Sequence, residues 1–143
     1  MYKPSRPTSG RFSIKVSYFV SMLRVVDILL SFAHLALIGF NLTGWIWRRT
    51  LKWHLLCVVL TGASWLLLGI WFGLGYCPLT DWQWDVKAKL GATNLPNSFI
   101  TWFAEKLSGA DISDSLVDTL TAVVFALVAA LSVYRNFFRK KTT

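Results

Sequence analysis

Polar and ionisable side chains recur along the first of three long apolar runs in this chain. Successive members lie four, three and seven residues apart: Asp27, Ser31, His34 and Asn41. On a helix this spacing puts all of them on one face. Ionisable groups at membrane depth are costly and mark ion pathways, proton relays or ligand sites, whereas Ser, Asn and His also serve as hydrogen-bonding links between packed helices. The pattern therefore predicts a polar seam that is either a site or a packing contact.

The second apolar run carries a matching seam. Its members follow at intervals of three, four and three residues: His54, Cys57, Thr61 and Ser64. A tight connection makes the first two runs an antiparallel hairpin. The hairpin places Asn41 at the depth of His54, and His34 at the depth of Thr61 and Ser64. We expect the two seams to meet, and we adopt packing as the role of both histidines.

Metal and haem chemistry has weak candidates in His34, His54 and Cys57. His34 lies deeper than His54 by about 15 Å of helix, so the two histidines are poorly placed to ligate one haem iron. His54 and Cys57 share a helix face, but two ligands make only half of a zinc site. No Ser-His-Asp set and no Gly-rich phosphate loop is present. We therefore predict no catalytic residues, no metal and no cofactor.

The elements that carry these side chains must be membrane helices. About 20 apolar residues cross a hydrocarbon core of roughly 30 Å, and lipid requires each backbone group to be paired within its own segment. With 55% hydrophobic residues and a positive mean hydropathy, the chain has three such runs. We predict an all-α integral membrane bundle with spans at about 24–47, 52–76 and 115–135.

The rest of the chain flanks these spans. Residues 1–11 are predicted to be a disordered basic tail, and 12–143 a single helical membrane domain that starts with an amphipathic segment before span one. Amphipathic surface helices are predicted at about 80–90 and 97–108, lying in the interface or capping the span ends. In the first, Thr80 and Gln83 fit a capping box, Trp82 lies on the apolar face, and Gly91 ends the helix.

A four-residue corner, Cys77, Pro78, Leu79 and Thr80, separates span two from the first surface helix. Because proline disfavours helical geometry in the residue before it, we expect Pro78 to end span two at Cys77, and Thr80 to cap the next helix. A straight span two would hold Cys57 and Cys77 about 30 Å apart and preclude a disulfide between them. We assign Cys77 a structural role and leave a reactive thiol as the alternative.

The basic residues set orientation and exclude one class of partner. The net charge is +8, but the basic residues flank the spans at 48–52 and 135–141, which is typical of membrane anchoring and not of nucleic-acid binding. These two acid-free clusters place the span one to two connection and the C-terminus in the cytoplasm, although the basic N-terminus argues for the reverse.

Small residues indicate close helix packing. Gly69 and Gly73 lie four residues apart on span two, and an alanine stripe on span three consists of Ala122, Ala126 and Ala130. Such stripes let two backbones approach closely. We expect span three to contact either the hairpin or a partner chain through this stripe.

Several of these residues together resemble a family of small bacterial membrane proteins, the domain-of-unknown-function 2784 family. Its pattern has an aspartate and a histidine on the first span, Trp or Leu before a second histidine, and a CPLT corner; here these are Asp27, His34, Trp53-His54 and Cys77 to Thr80. The similarity runs from about Arg24 to Phe103. The chain departs from the pattern at Trp82-Gln83, where the family has Leu-Glu, and at Trp102, where the family has His.

The resemblance implies a multi-pass protein of the bacterial inner membrane without an established activity. Its small size, close-packing stripes and lack of a finished active site favour a non-enzymatic accessory or assembly partner of a larger membrane complex. The expected partners are the lipid bilayer and either another membrane protein or further copies of the chain. The alternative is a small redox enzyme, or one that handles metal or haem, using His34, His54 and Cys77.

Overall fold

Six α-helices and one π-helical stretch make up the described part of the protein. The computed structural model describes residues 9–73 and 75–138, with side chains from residue 14 onward, and no strand occurs among them. The elements are α1 (Ser9–Thr43), α2 (Leu51–Ala63), the π-helical stretch Ser64–Leu68, α3 (Gly69–Phe72), α4 (Pro78–Lys89), α5 (Phe99–Ser108) and α6 (Asp114–Phe137). Three segments are long and apolar enough to cross a membrane: Ile14–Thr43, Leu51–Phe72 and Asp114–Phe137. The predicted all-α class with three spans is confirmed.

The interior of the described part is more polar than its exterior. The buried apolar side chains are Leu23, Val58, Phe99 and Val128. The buried polar side chains are more numerous: His34, His54, Thr80, Gln83, Lys87, Thr101 and Ser132. Most large apolar side chains of the spans are exposed. This inversion is expected in lipid, where apolar burial gives little driving force and polar groups must find partners inside.

Helix α1 is a single helix from Ser9, so the amphipathic segment before span one continues into the span without a break. Residues 9–11 are helical, which moves the predicted boundary of the tail; residues 1–8 lie outside the described residues. The helix ends at Thr43, four residues before the predicted end. Gly44 follows, and Thr50 donates its hydroxyl to the Gly44 carbonyl at 2.6 Å, which closes the tight connection.

The second span ends before the predicted corner. Its helix reaches Phe72, and Gly73 has a φ of 102°, a left-handed conformation that glycine adopts at little cost. The chain then doubles back, so that Ser64 in the π-helical stretch donates to the Tyr76 carbonyl at 3.0 Å. The prediction that Pro78 ends this span at Cys77 was therefore wrong, because Gly73 ends it first.

Helix α4 begins one residue after Cys77, with Pro78 in the first turn, where its missing N–H costs nothing. Cys77 occupies the N-cap position and makes no side-chain cap, so the predicted capping box of Thr80 and Gln83 was wrong. Both side chains are instead buried against α1. The helix stops at Lys89, and Gly91 follows in the expected left-handed conformation with a φ of 90°.

Helix α4 runs antiparallel to α1, since contacts of higher-numbered α4 residues fall on lower-numbered α1 residues. The face of α4 that packs on α1 is polar, whereas Trp82 is exposed. Helix α5 begins at the Ser98 cap, whose hydroxyl accepts from the Thr101 amide, and ends at Gly109 with a φ of 69°. Helix α4 thus packs along α1 between Asp27 and His34.

Helix α6 packs antiparallel to α2. Asn136 near its end donates to the Leu51 carbonyl at 3.2 Å, and Phe125 lies against Trp65 with ring centroids 4.9 Å apart. Ser132 and Val128 are buried on the same face. The alanine stripe Ala122, Ala126 and Ala130 is exposed beside this face. The stripe therefore does not contact the hairpin, and of the two predicted contacts only the one with a partner chain stays a prediction.

Candidate functional site: two polar clusters on helix α1

His54 is the centre of the first cluster, which joins α1, α2 and α6. Its imidazole is fully buried. Nε2 lies 2.8 Å from the Asn41 carbonyl and Nδ1 lies 2.9 Å from the Ser132 hydroxyl. A carbonyl can only accept, so Nε2 carries the hydrogen, and in the neutral ring Nδ1 accepts from Ser132. Both ring nitrogens are thus occupied by contacts within the protein.

Gly44, which has no side chain, leaves space for the His54 imidazole. A Cβ at this position would stand 2.8 Å from Cδ2 of His54 and 2.7 Å from the Phe40 carbonyl oxygen. The Phe40 ring meets the imidazole edge-on at 5.8 Å. The close approach of the α1 end to His54 therefore requires glycine here.

Part of the predicted seam on α2 joins this cluster. The Asn41 amide approaches the Thr61 hydroxyl at 3.4 Å, so the seams of α1 and α2 meet at Asn41. Cys57 is half-buried and lies between His54 and Thr61 in sequence on the same helix. Ser64 points instead to the Tyr76 carbonyl.

The second cluster lies between α1 and α4, and we call it the α1–α4 polar interface: Asp27, Ser31, His34, Thr80, Gln83 and Lys87. Gln83 is fully buried and donates its amide to Asp27 Oδ1 at 3.1 Å and to the Ser31 hydroxyl at 2.7 Å. Ser31 in turn donates to the Asp27 backbone carbonyl at 2.9 Å. These bonds hold α4 in register on α1.

An ion pair between Lys87 and Asp27 lies at one end of the interface. Lys87 Nζ lies 2.9 Å from each carboxylate oxygen of Asp27, and the lysine side chain is only 8% exposed. The ammonium also stands over the Trp102 ring of α5, 3.9 Å from its centroid. Carboxylate and aromatic ring together offset the cost of burying this charge.

His34 occupies the other end of the interface. Its Nε2 lies 3.0 Å from the Thr80 hydroxyl and 4.0 Å from Cys77 Sγ, and its ring stacks on Phe99 at 4.3 Å with planes 9° apart. The ring is 3% exposed. Its Nδ1 is buried and has no hydrogen-bond partner among residues 14–73 and 75–138, and the same holds for Oε1 of Gln83. Unlike His54, His34 keeps one nitrogen unbonded.

Cys77 also borders an apolar groove of about 520 Å³ between α2 and α4. Cys57, Thr61 and Trp82 line the same groove. Because the chain doubles back after Gly73, the predicted separation of about 30 Å between Cys57 and Cys77, which assumed a straight helix, does not hold. Both thiols are free.

A tyrosine fixes the turn that leads into this corner. The Tyr76 hydroxyl donates to Asp81 Oδ2 at 2.9 Å. This hydrogen bond to the carboxylate raises the pKa of Tyr76, because loss of the proton would break the bond and bring two negative charges together.

The structure thus divides the predicted seam residues between two places. It brings His34 to Thr80 and Cys77 in the corner, and it keeps His54 in a separate cluster with Asn41. Pro78 and Leu79 line the groove beside Cys77. Among the described residues, no group of three or more His, Cys, Asp or Glu side chains is placed to hold one metal ion.

Two residues of the α1–α4 polar interface, Gln83 and Lys87, were not predicted as site residues, and neither were the α5 rings that contact it, Phe99 and Trp102. The available signal was the spacing of Thr80, Gln83 and Lys87, which repeats at three and four residues and matches the seam of α1. A polar face on one helix that matches a polar face on another indicates that the two pack together.

The family comparison agrees with the resemblance seen in the sequence. The family model described as "Protein of Unknown function (DUF2784)" matches residues 24–137, which include both polar clusters. Comparison with curated proteins and with solved structures finds no match.

Proposed function

Since the chain belongs to the DUF2784 family of proteins of unknown function, we propose from its own geometry that it is a non-enzymatic membrane subunit, an accessory or assembly partner of a larger membrane complex. Its proposed location is the bacterial inner membrane. Three helices that are long and apolar enough to cross a membrane support a membrane protein.

The exposed stripe on α6 is the observation that carries this proposal. Ala122, Ala126 and Ala130 lie one turn apart beside the face that contacts α2, and all three are exposed. Small side chains at this spacing let a second helix come close enough for extensive van der Waals contact. Bulky exposed residues such as Leu127 cover the far side of the helix. The alanine stripe fits a partner helix better than it fits lipid chains.

The polar clusters support the same function. His54 and the Asp27–Lys87 pair are bonded within the protein, so they hold the helices together and present no free reactive set. The redox or metal-handling alternative needs His34, His54 and Cys77 to act together. Only His34 and Cys77 are neighbours, at 4.0 Å.

Photo-crosslinking in native membranes tests the proposal. A photoreactive amino acid at Ala126 should give a discrete adduct with a second polypeptide, whereas the same group at Leu127 should not. The partner is a second copy if the adduct has twice the mass of the chain, and another membrane protein otherwise. Ala126→Leu should abolish the adduct formed from Ala122. Equal, diffuse labelling from positions 126 and 127 would reject the proposal.

Membrane orientation is proposed from the basic clusters, with the C-terminus in the cytoplasm and α4 and α5 on the other side. A reporter enzyme active only in the cytoplasm should work when fused to the C-terminus. Activity of a reporter that folds only outside the cytoplasmic membrane would invert the orientation and leave the proposed subunit role standing.

A further inference from the structure

A cleft of about 260 Å³ lies between α5, α1 and α4, beside the Asp27–Lys87 ion pair. Its polar end is lined by Lys87, Lys106, the ring of Trp102, Asp27 and Ser31. Its other wall is apolar and belongs to α1. We propose that this cleft binds an anionic phospholipid, with the lipid phosphate at the lysines and one acyl chain along α1. This site is additional to the partner contact on α6.

The charge balance of the cleft favours an anion. Asp27 neutralises Lys87, since both of its carboxylate oxygens lie 2.9 Å from Nζ. Lys106 Nζ lies 5.0 Å from the centroid of the same Trp102 ring and makes no ion pair within the described part of the chain. The cleft therefore carries one excess positive charge, located at its exposed rim. A phosphate can accept charge-assisted hydrogen bonds from Lys106.

Lys87 makes this a built site and not a chance surface charge. Its side chain is more than nine-tenths buried, and its ammonium is held in place by the Asp27 carboxylate and the Trp102 ring. The ring thus lies close to both cations. Such an arrangement fixes the positive end of the cleft before any ligand arrives, which lowers the cost of ordering on binding.

The apolar wall selects a lipid over a free phosphate. Ile28, Phe32 and Leu35 recur at intervals of four and three residues on α1, border the cleft and are exposed. They form a strip that leads away from the lysines along a helix that is apolar enough to span a membrane. A ligand that covers both ends must be anionic at one end and apolar at the other. Tryptophan beside the lysines is typical of the headgroup region.

The experiment measures thermal unfolding of the full-length purified protein in a neutral detergent, followed by tryptophan fluorescence. The ligands are dihexanoyl phosphatidylglycerol, dihexanoyl phosphatidylcholine and inorganic phosphate. Phosphatidylglycerol should raise Tm by a few degrees with saturation, and the other two should not. A saturable effect of inorganic phosphate equal to that of the lipid would overturn the lipid assignment. Equal increases in Tm with phosphatidylglycerol and phosphatidylcholine would show that the lipid charge plays no part, and would overturn the proposal of an anionic lipid.

Two exposed lysines provide matched variants. Lys106→Gln should weaken phosphatidylglycerol binding roughly tenfold, the scale of one lost charge-assisted contact. Lys89→Gln removes an equal charge from the outer face of α4 and should leave binding unchanged. Equal losses in the two variants would show general attraction to a basic protein and reject the cleft. Both side chains are exposed, so folding should be retained, and size-exclusion chromatography checks it.

The apolar wall has its own test. Phosphatidylglycerol with a brominated acyl chain quenches tryptophan on contact, and Trp102→Phe should remove a defined part of that quenching. Phe32→Ser should weaken binding of the lipid without changing the response to inorganic phosphate. Quenching that is identical with and without Trp102 would place the lipid elsewhere on the protein.

Discussion

The two polar clusters that involve helix α1 each contain a buried histidine, and the two histidines differ in how many ring nitrogens are hydrogen-bonded. His54 is enclosed by three helices, and both of its ring nitrogens are hydrogen-bonded. His34 is also buried, yet among the described residues it has a hydrogen bond at Nε2 alone, and it lies beside a thiol and an aromatic ring. A buried histidine with both nitrogens bonded is fully satisfied, whereas a buried nitrogen without a partner costs free energy. Both clusters hold helices together, and they differ in that His34 has one ring nitrogen without a hydrogen-bond partner among the described residues.

Removing a charge at the α1–α4 polar interface should have the largest effect. Asp27→Asn leaves the Lys87 ammonium buried without its counter-charge, and we expect a loss of roughly 3 kcal/mol in the free energy of unfolding. Reversible unfolding in mixed detergent measures it. Asp85→Asn, on the exposed face of α4, is the control and should change stability little. Comparable losses in both variants would mean that the pair does not hold α4 on α1.

Gly44→Ala tests the His54 cluster through its backbone. The added Cβ would stand under 3 Å from the Phe40 carbonyl oxygen and from the imidazole. We expect a loss of about 2 kcal/mol or more, measured in the same unfolding assay. Gly39→Ala is the matched control, because no atom lies within 4 Å of its added Cβ. This control should be neutral or slightly stabilising in a helix. A neutral Gly44→Ala would show that the close approach is not required.

Ser132→Ala removes the partner of His54 Nδ1 and should cost about 1–2 kcal/mol, the price of leaving a buried polar atom unbonded. Ser115→Ala near the start of α6 removes the same group from an exposed position and serves as control. Within the part of the chain that the structure describes, the two clusters share no hydrogen-bond partner, so the losses of Ser132→Ala and Thr80→Ala should add in the double variant. A strong deviation from additivity would join the clusters into one network.

The smallest effects are expected in the corner. Thr80→Ala takes the hydroxyl from His34 Nε2 and should cost about 1 kcal/mol. Cys77→Ala should change stability by less, because the contact at 4.0 Å is weak. A cellular assay with protein levels measured alongside completes the comparison, with Cys57→Ala as control. Loss of activity in Cys77→Ala at normal abundance would reject its structural role and favour the thiol chemistry of the alternative function.

The sequence predicted the spans because their signal is strong and local. Long apolar runs leave helix as the one way to pair the backbone in lipid, and the helix bounds agree within a few residues at most ends. The end of span two was missed since Gly73 and Pro78 both stop helices, and composition does not say which acts first. Only the conformation of Gly73 settles it.

The candidate site was predicted less completely. The α1 and α2 residues of the polar seam were identified from spacing, but their partners on α4 were not. The apolar face that carries Trp82 was predicted to lie in the membrane interface or to cap the span ends, and Trp82 is exposed. The opposite face, with Thr80, Gln83 and Lys87, is buried, and its packing was not predicted. In a membrane protein the face that packs inward can be the polar one, because lipid accepts the apolar face.

The ion pair at the foot of α4 also bears on how the chain is made. Asp27 and Lys87 are 60 residues apart. At a synthesis rate of about 5–20 residues per second, Lys87 leaves the ribosome roughly 3–12 s after Asp27. During that interval the nascent first span carries an unpaired acidic side chain, which opposes its stable insertion. The acidic side chain of the first span therefore gains its ion-pair partner only after α4 has been made.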